Sequence, residues 1–205
     1  NLKCRTCAPH SSSQWMKEYF DIYESKRYNA DYKKYSVEMK KYHLTYDDES
    51  PFWDDIVENL PTIRQLDFYG GEPFMSNKMW RTLEIAVELG YANEVYARYN
   101  SNMSRITFFG KNLFDDVLSK FQDWQINASI DATGEIGEYI RTGLKYDEWL
   151  ENMRYARKWM KHPRQLQLDL TVTLPGLFDL ENMYKLQKDL KIPLLCKKVF
   201  SFSAE

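Results

Sequence analysis

Two of the three cysteines of this 205-residue chain stand at its beginning, in Asn1-Leu2-Lys3-Cys4-Arg5-Thr6-Cys7. A Cys-x-x-Cys pair suits zinc, thiol–disulfide or iron–sulfur chemistry, since each needs two sulfurs within reach of one centre. Lys3 and Arg5 are cationic neighbours that favour thiolate over thiol. A second chemically able group follows at Gly70-Gly71-Glu72-Pro73. Two glycines let a backbone bend sharply and approach a ligand closely, and the Glu72 carboxylate can accept from a cationic amine. A strand-to-helix turn that merely needs glycine explains the same pair. A third group is Tyr99-Asn100-Ser101-Asn102-Met103-Ser104, short polar side chains that also build ordinary turns. The fourth is Ser129-Ile130-Asp131-Ala132-Thr133-Gly134, with Glu138 and Arg141 beyond it. Ser129 and Asp131 share one strand face by alternation. Arg141 can grip a carboxylate through two N–H groups, or pair with Glu138 as a surface bridge of little worth. Cys196, inside the apolar run Pro193-Leu194-Leu195-Cys196, reads as a buried structural thiol.

Such groups need a scaffold that brings them together, and the hydrophobic pattern supplies one. Strands are expected over 63–69, 94–99, 124–130, 166–174 and 192–200, from short apolar runs bounded by turn residues. Helices are expected over 77–90 with Asn77 as its cap, over 112–121, over 146–160 and over 180–190. Upstream, 11–27 reads as a helix, and Tyr28, Tyr32, Tyr35, Met39, Tyr42 and Tyr46 step by three and four along a second. That tyrosine stripe is a packing face before it is a substrate wall. The acidic residues Asp47, Asp48, Glu49, Asp54 and Asp55 flank Ser50-Pro51, a turn into a short helix. Strands alternating with helices imply crossover units and a mainly parallel sheet. In such sheets the side chains just past the strands' carboxyl ends converge on one site. The second, third and fourth polar groups each follow a strand.

Composition narrows the setting. A hydrophobic fraction of 43% supports a sizeable core, and 28% charged residues cover a normal surface. The net charge of −2 offers no general attraction to nucleic acid or to an anionic membrane. No run of apolar residues is long enough to span a bilayer, and no basic-then-apolar leader opens the chain. Three cysteines are too few for a disulfide framework, which points to a reducing, cytoplasmic setting.

Taken together, Cys4 and Cys7, Gly70-Gly71-Glu72-Pro73, Ser101-Asn102-Met103-Ser104 and Ser129-Ile130-Asp131 with Arg141 resemble the radical S-adenosylmethionine (SAM) superfamily, and within it the members with a Twitch or SPASM extension. The family motif is Cys-x3-Cys-x2-Cys, so Cys4 and Cys7 match its last two ligands and the first would stand immediately before Asn1. Gly70-Gly71-Glu72-Pro73 matches the family's Gly-Gly-Glu-Pro segment, Ser101 to Ser104 its Thr-Asn-Gly-Thr turn, and Ser129 to Asp131 its Ser-x-Asp-Gly stretch. The resemblance covers nearly the whole chain. It implies a partial (β/α)6 TIM-like barrel, mainly parallel, whose first strand precedes residue 1. On that basis residues 1–205 are expected to be a single core-domain fragment, inactive as it stands, with a long helical insertion over 11–60 and the C-terminal extension absent.

The resemblance further implies Cys4 and Cys7 as ligands of a 4Fe–4S cluster, and Gly70, Gly71, Glu72, Asn102, Ser129, Asp131 and Arg141 as the residues that hold SAM. The implied reaction is reductive cleavage of SAM to a 5′-deoxyadenosyl radical that abstracts hydrogen from a peptide or small-molecule substrate, with an electron donor as partner. Thr6 stands where many members carry an aromatic residue, and Met103 and Ala132 replace family glycines, which implies altered turns. Two alternatives remain open from the residues alone. One is a structural zinc site built on Cys4, Cys7 and His10 with a further ligand such as His43. The other is a degenerate member of the fold that binds a partner without catalysis.

Overall fold

The computed structural model describes residues 2–7, 13–15, 18, 21 and 50–198. The helices expected over 11–27 and along the tyrosine stripe fall almost wholly outside those residues, as do His10, His43 and the acidic residues 47–49.

Among the described residues the chain runs as follows. Strand β1 (Lys3–Cys4) carries the first described cysteine, and helix α1 (Phe52–Asn59) follows the Ser50-Pro51 turn. Then come β2 (Gln65–Phe68), α2 (Asn77–Glu88), β3 (Tyr96–Ser101) and the small hairpin β4 (Thr107–Phe108) and β5 (Lys111–Asn112). The second half holds β6 (Asp123–Ile130), α3 (Gly134–Ile140), β7 (Arg141–Thr142), α4 (Tyr146–Lys158), β8 (Leu166–Val172), α5 (Leu180–Leu190) and β9 (Leu194–Lys198). Five strands form one sheet in the order β2-β3-β6-β8-β9, and every pairing in it is parallel. All five expected strands are therefore present, and their carboxyl ends lie along one edge.

The helices form where apolar residues recur at helical spacing. In α2, Met79, Trp80, Leu83 and Ala86 are buried, and in α4 Trp149, Met153 and Ala156 are. Ser76 rather than Asn77 caps α2: its hydroxyl accepts from the Met79 N–H at 3.2 Å, so the helix begins at Asn77, one residue earlier than that cap assignment implied. Its end is a Schellman turn, with Gly90 at φ 81° and the Gly90 and Tyr91 N–H groups donating to the Val87 and Ala86 carbonyls. The helix expected over 112–121 is instead a π-turn (Leu113–Val117) followed by a 3-10 turn (Leu118–Lys120). Asn112 caps it, accepting from Phe114 N–H at 2.9 Å. Leu113, Phe114, Val117 and Leu118 are all buried, a wider apolar arc than one regular helical stripe provides.

Burial decides which α/β architecture this is. Along β6, Trp124, Ile126, Ala128 and Ile130 are buried, while Asp123, Gln125, Asn127 and Ser129 are only partly so. The apolar set joins Ala97, Tyr99, Leu166, Leu168 and the buried residues of α2, α4 and α5 in one core. Helices thus cover one face, and the other face is polar. A doubly wound sheet would bury both faces and read as continuous apolar runs. One-sided cover with alternating strands is the pattern of a barrel wall, here an open one with β2 and β9 as its outer strands. The edge position of β9 also corrects the expectation for Cys196, whose thiol is exposed.

The polar face is tied together laterally. Tyr96 Oη donates to Gln125 Oε1 at 2.5 Å, Gln125 Nε2 to Asn127 Oδ1 at 3.1 Å, and Asn127 Nδ2 to Asn100 Oδ1 at 2.7 Å. Gln167 Nε2 also donates to Asn127 Oδ1. Arg98 holds Asp67 through two bonds of 2.9 Å. Each of these pairs bridges neighbouring strands or neighbouring rungs, satisfying polar atoms that a half-open sheet cannot hand to bulk water.

Candidate cofactor site

Cys4 reaches the site through a two-residue antiparallel ladder that no periodicity in the chain announces. Strand β1 pairs with β7, placing Lys3 opposite Thr142 and Cys4 opposite Arg141. The Arg5 N–H extends the ladder to the Ile140 carbonyl at 2.8 Å, its Nε donates to the Tyr139 carbonyl at 2.8 Å, and its guanidinium lies 4.1 Å over the Tyr139 ring. From the other side, the Trp15 indole N–H donates to the Cys4 carbonyl at 2.7 Å. The Cys7 N–H turns back onto that same carbonyl at 3.1 Å, so the two thiols meet in one tight loop.

Their proton affinities are driven apart by that contact. The Cys4 thiol, donating to Cys7 and buried, is pushed far up. The Cys7 thiol is pulled down to about 7, first by the Cys4 hydrogen bond and then by Arg141, against burial. One thiolate beside a guanidinium is the state a metal centre needs from a cysteine ligand.

Arg141 is itself fixed. Its Nε and one terminal nitrogen donate to the two oxygens of Asp131, each at 2.9 Å. Asp131 is fully buried and Arg141 is 8% exposed. Arg141 therefore pairs with Asp131 and not with Glu138, which caps α4 by accepting from the Tyr146 N–H at 2.8 Å. Two glycines permit the close packing around Asp131. A Cβ on Gly137 would stand 2.3 Å from the Ala132 carbonyl oxygen, and one on Gly176 would stand 2.6 Å from that of Asp131. Asp179 accepts from the Thr133 N–H, fastening the turn after β8 (Pro175–Asp179) onto the same loop.

Glu72 forms the second cluster. Gly70 and Gly71 adopt φ of 82° and 53°, a left-handed pair that returns the chain beneath the end of β3. Glu72 Oε1 then accepts from Ser101 Oγ at 2.7 Å and from the Phe74 N–H at 3.3 Å, and Oε2 accepts from the Asn102 N–H at 2.7 Å. Burial raises its proton affinity and these bonds oppose the rise. The Asn102 side chain caps the turn by accepting from the Ser104 N–H at 2.9 Å. Met103 keeps the conformation a glycine would take freely, with φ of 53°, while Asn152 donates to its carbonyl at 2.9 Å.

Leu2, Met75, Ser104, Arg105, Gly143, Lys145 and Glu148 line one cavity of about 210 Å³; chain neighbours of Cys4, Glu72, Asn102 and Arg141 reach it, but none of those four side chains lines it. A larger hollow of about 420 Å³ lies against Arg105 and the β4–β5 hairpin and contains none of these groups. Ser129 is half-buried on the polar face of β6, two residues before Asp131.

The residues fit a cluster and a SAM molecule in part. Two thiols converge, one poised as a thiolate; among the described residues no group of three acidic, His or Cys side chains could hold a metal ion. Glu72 Oε2 accepts one hydrogen bond, from the Asn102 N–H, which leaves a lone pair for an amine. Sequence reasoning missed the β1–β7 ladder, the Asp179 tie and Asp169; only the last carries a signal, a lone acid within an apolar strand.

No family model matches the chain, and no curated protein matches it significantly. Solved structures do. The crystal structure of Streptococcus suis SuiB aligns with a TM-score of 0.56 over 74% of this chain at 12% identity. SuiB bound to S-adenosylmethionine aligns with 0.55 over 74% at 13% identity, and SuiB bound to its precursor peptide SuiA with 0.53 over 72% at 13%. The likeness is one of fold, and the chain spans about a third of those structures (34%, 34% and 32% of their lengths).

Proposed function

We propose that this chain is the core of a radical SAM enzyme, with Cys4 and Cys7 as two ligands of a 4Fe–4S cluster and the third supplied just upstream of Asn1. The observation that carries the reading is the β1–β7 ladder, which sets Cys4 directly opposite Arg141. Motif matches at separate points of a sequence have no reason to meet, yet here the cysteine loop lies against the Asp131–Arg141 pair.

When bound, the cluster would supply one electron to split the SAM sulfonium and leave a carbon radical able to abstract hydrogen. The chain's own residues bind and orient. Arg141, already neutralised by Asp131, presents its remaining N–H groups to a carboxylate while the pair itself stays charge-balanced. Glu72 offers its unfilled lone pair to an ammonium group, and a cation there favours the ionised carboxylate that burial disfavours. Gly70 and Gly71 bring backbone rather than side chain to that position, and Asn102 and Ser129 complete the polar border. Support for SAM as the ligand comes from the fold shared with SAM-bound SuiB. Support for a peptide substrate comes from the same fold in complex with SuiA; a small molecule is the other substrate class.

The test uses the protein extended upstream through the first motif cysteine and reconstituted with iron and sulfide without oxygen. A brown protein that binds SAM, and on reduction releases methionine and 5′-deoxyadenosine, is the expected result. A colourless protein holding stoichiometric zinc overturns the reading. A stable cluster without SAM cleavage identifies a degenerate fold instead.

A further inference from the structure

Three buried side-chain polar atoms have no hydrogen-bond partner among the described residues: the Tyr99 hydroxyl, the Trp149 indole N–H and Asp169 Oδ1. The first two lie within the apolar core, where an orphaned dipole is a packing compromise. Asp169 differs in kind and in place. It is an acidic residue in β8, register-paired with Ser129 of β6 on one side and Leu195 of β9 on the other. That register puts it on the polar face, one strand from Ser129.

Every other carboxylate of this face is paired. Asp67 has Arg98, and Asp123 has His162 and Gln165. Asp169 is held on one side only: Lys197 Nζ donates to Oδ2 at 2.5 Å. The residue is 5% exposed, whereas the Lys197 side chain is 50% exposed. A buried carboxylate oxygen with no donor carries a desolvation cost that the fold has not offset. The Ser129 hydroxyl beside it also makes no hydrogen bond among the described residues.

We propose that Asp169 is a specificity-determining residue whose Oδ1 accepts a hydrogen bond from an N–H or O–H donor of the ligand bound beside Ser129, while Lys197 occupies Oδ2 and offsets part of the carboxylate's charge. The donor belongs either to the nucleoside of SAM or to the substrate. The inference rests on the proposed function only for the identity of the neighbouring molecule, since the orphaned oxygen requires a donor whatever that molecule is.

The probes are SAM and ethylammonium chloride, with sodium acetate as the charge-reversed control, on the cluster-loaded protein and on Asp169→Asn and Lys197→Met. In Asp169→Asn the side-chain oxygen stays with Lys197 and the amide NH2 meets the ligand donor, so acceptance becomes repulsion. If the donor is on SAM, SAM affinity falls about tenfold in Asp169→Asn, the scale of one charge-assisted hydrogen bond. If it is on the substrate, SAM affinity holds, while ethylammonium binds saturably with SAM present, more tightly than acetate, and loses that binding in Asp169→Asn. Lys197→Met removes the competing cation and tightens ethylammonium in either case. The proposal is overturned if neither probe responds to Asp169→Asn, or, should that variant not fold, if Lys197→Met binds ethylammonium no more tightly than the wild type. Wild-type protein that takes ethylammonium at Asp169 but no SAM keeps this inference and refutes the proposed function.

Discussion

Arg141 and Asp131 show how a functional reading and a structural one coincide in the same atoms. Their two 2.9 Å bonds satisfy a carboxylate that has no access to water. An Arg at this position serves the fold before it serves any ligand. Arg141→Met should therefore destabilise the protein by about 3–5 kcal/mol, the cost of leaving a buried charge uncompensated. Denaturant unfolding of the cluster-free protein checks this. A loss below about 1 kcal/mol would mean that Asp131 finds another partner, and would free Arg141 for a purely ligand-binding role. Glu72 has the same double duty, since its three donors come from both the turn it caps and the end of β3.

Strand β6 is pinned at its entrance by Asp123, which joins the strand to the 160–165 loop. Its carboxylate meets His162 Nε2 at 2.9 Å and accepts from Gln165 Nε2 at 2.7 Å and from the Trp124 N–H at 2.8 Å. Burial favours the neutral acid, but the bonds from His162, Trp124 and Gln165 outweigh it and hold the carboxyl below its ordinary range. A carboxyl depressed on folding contributes stability that is present above its unfolded pKa of about 3.9, and loses it as pH falls through the folded value. Urea unfolding of wild type and Asp123→Asn should show a gap at pH 6 that narrows steadily below about pH 4. A gap of constant size would assign the stabilisation to packing at the strand entrance rather than to charge.

The open sheet gives the whole molecule a gradient of protection. Strand β6 is hydrogen-bonded on both sides, to β3 and to β8, and its apolar side chains meet the helices, whereas β2 and β9 have one described neighbour each. Hydrogen exchange should therefore be slowest at the β6 amides and fastest in the sheet at β9, where Leu195, Cys196 and Lys197 are exposed. Equal protection across the five strands would show that something outside the described residues covers β9. The polar face follows from the same openness. Its lateral network of Tyr96, Gln125, Asn127, Asn100 and Gln167 replaces the apolar packing that a doubly wound sheet would place there.

The five strands were readable from residue order because a strand's apolar alternation and a helix's three-to-four spacing are local, and so were α4 and α5. The sheet edge that gathers the polar groups was readable too, since in parallel sheets the residues after each strand collect at one edge. Residue types alone also named Glu72 as a carboxylate in want of donors and Arg141 as a cation in want of a carboxylate. Partners were another matter. Arg141 could have taken Glu138, and it took Asp131; Cys196 sits in an apolar run and is exposed. The wide turn over 113–120 hides in a helical pattern, because periodicity counts apolar residues and cannot see the arc they must cover. Least readable was the meeting of Cys4 with Arg141 through a two-residue ladder. Contacts between residues more than a hundred positions apart are selected by the energy of the assembled whole, which no local pattern carries, and Asp169 lacks a donor for the same reason: only the assembled sheet determines which atoms are left without one.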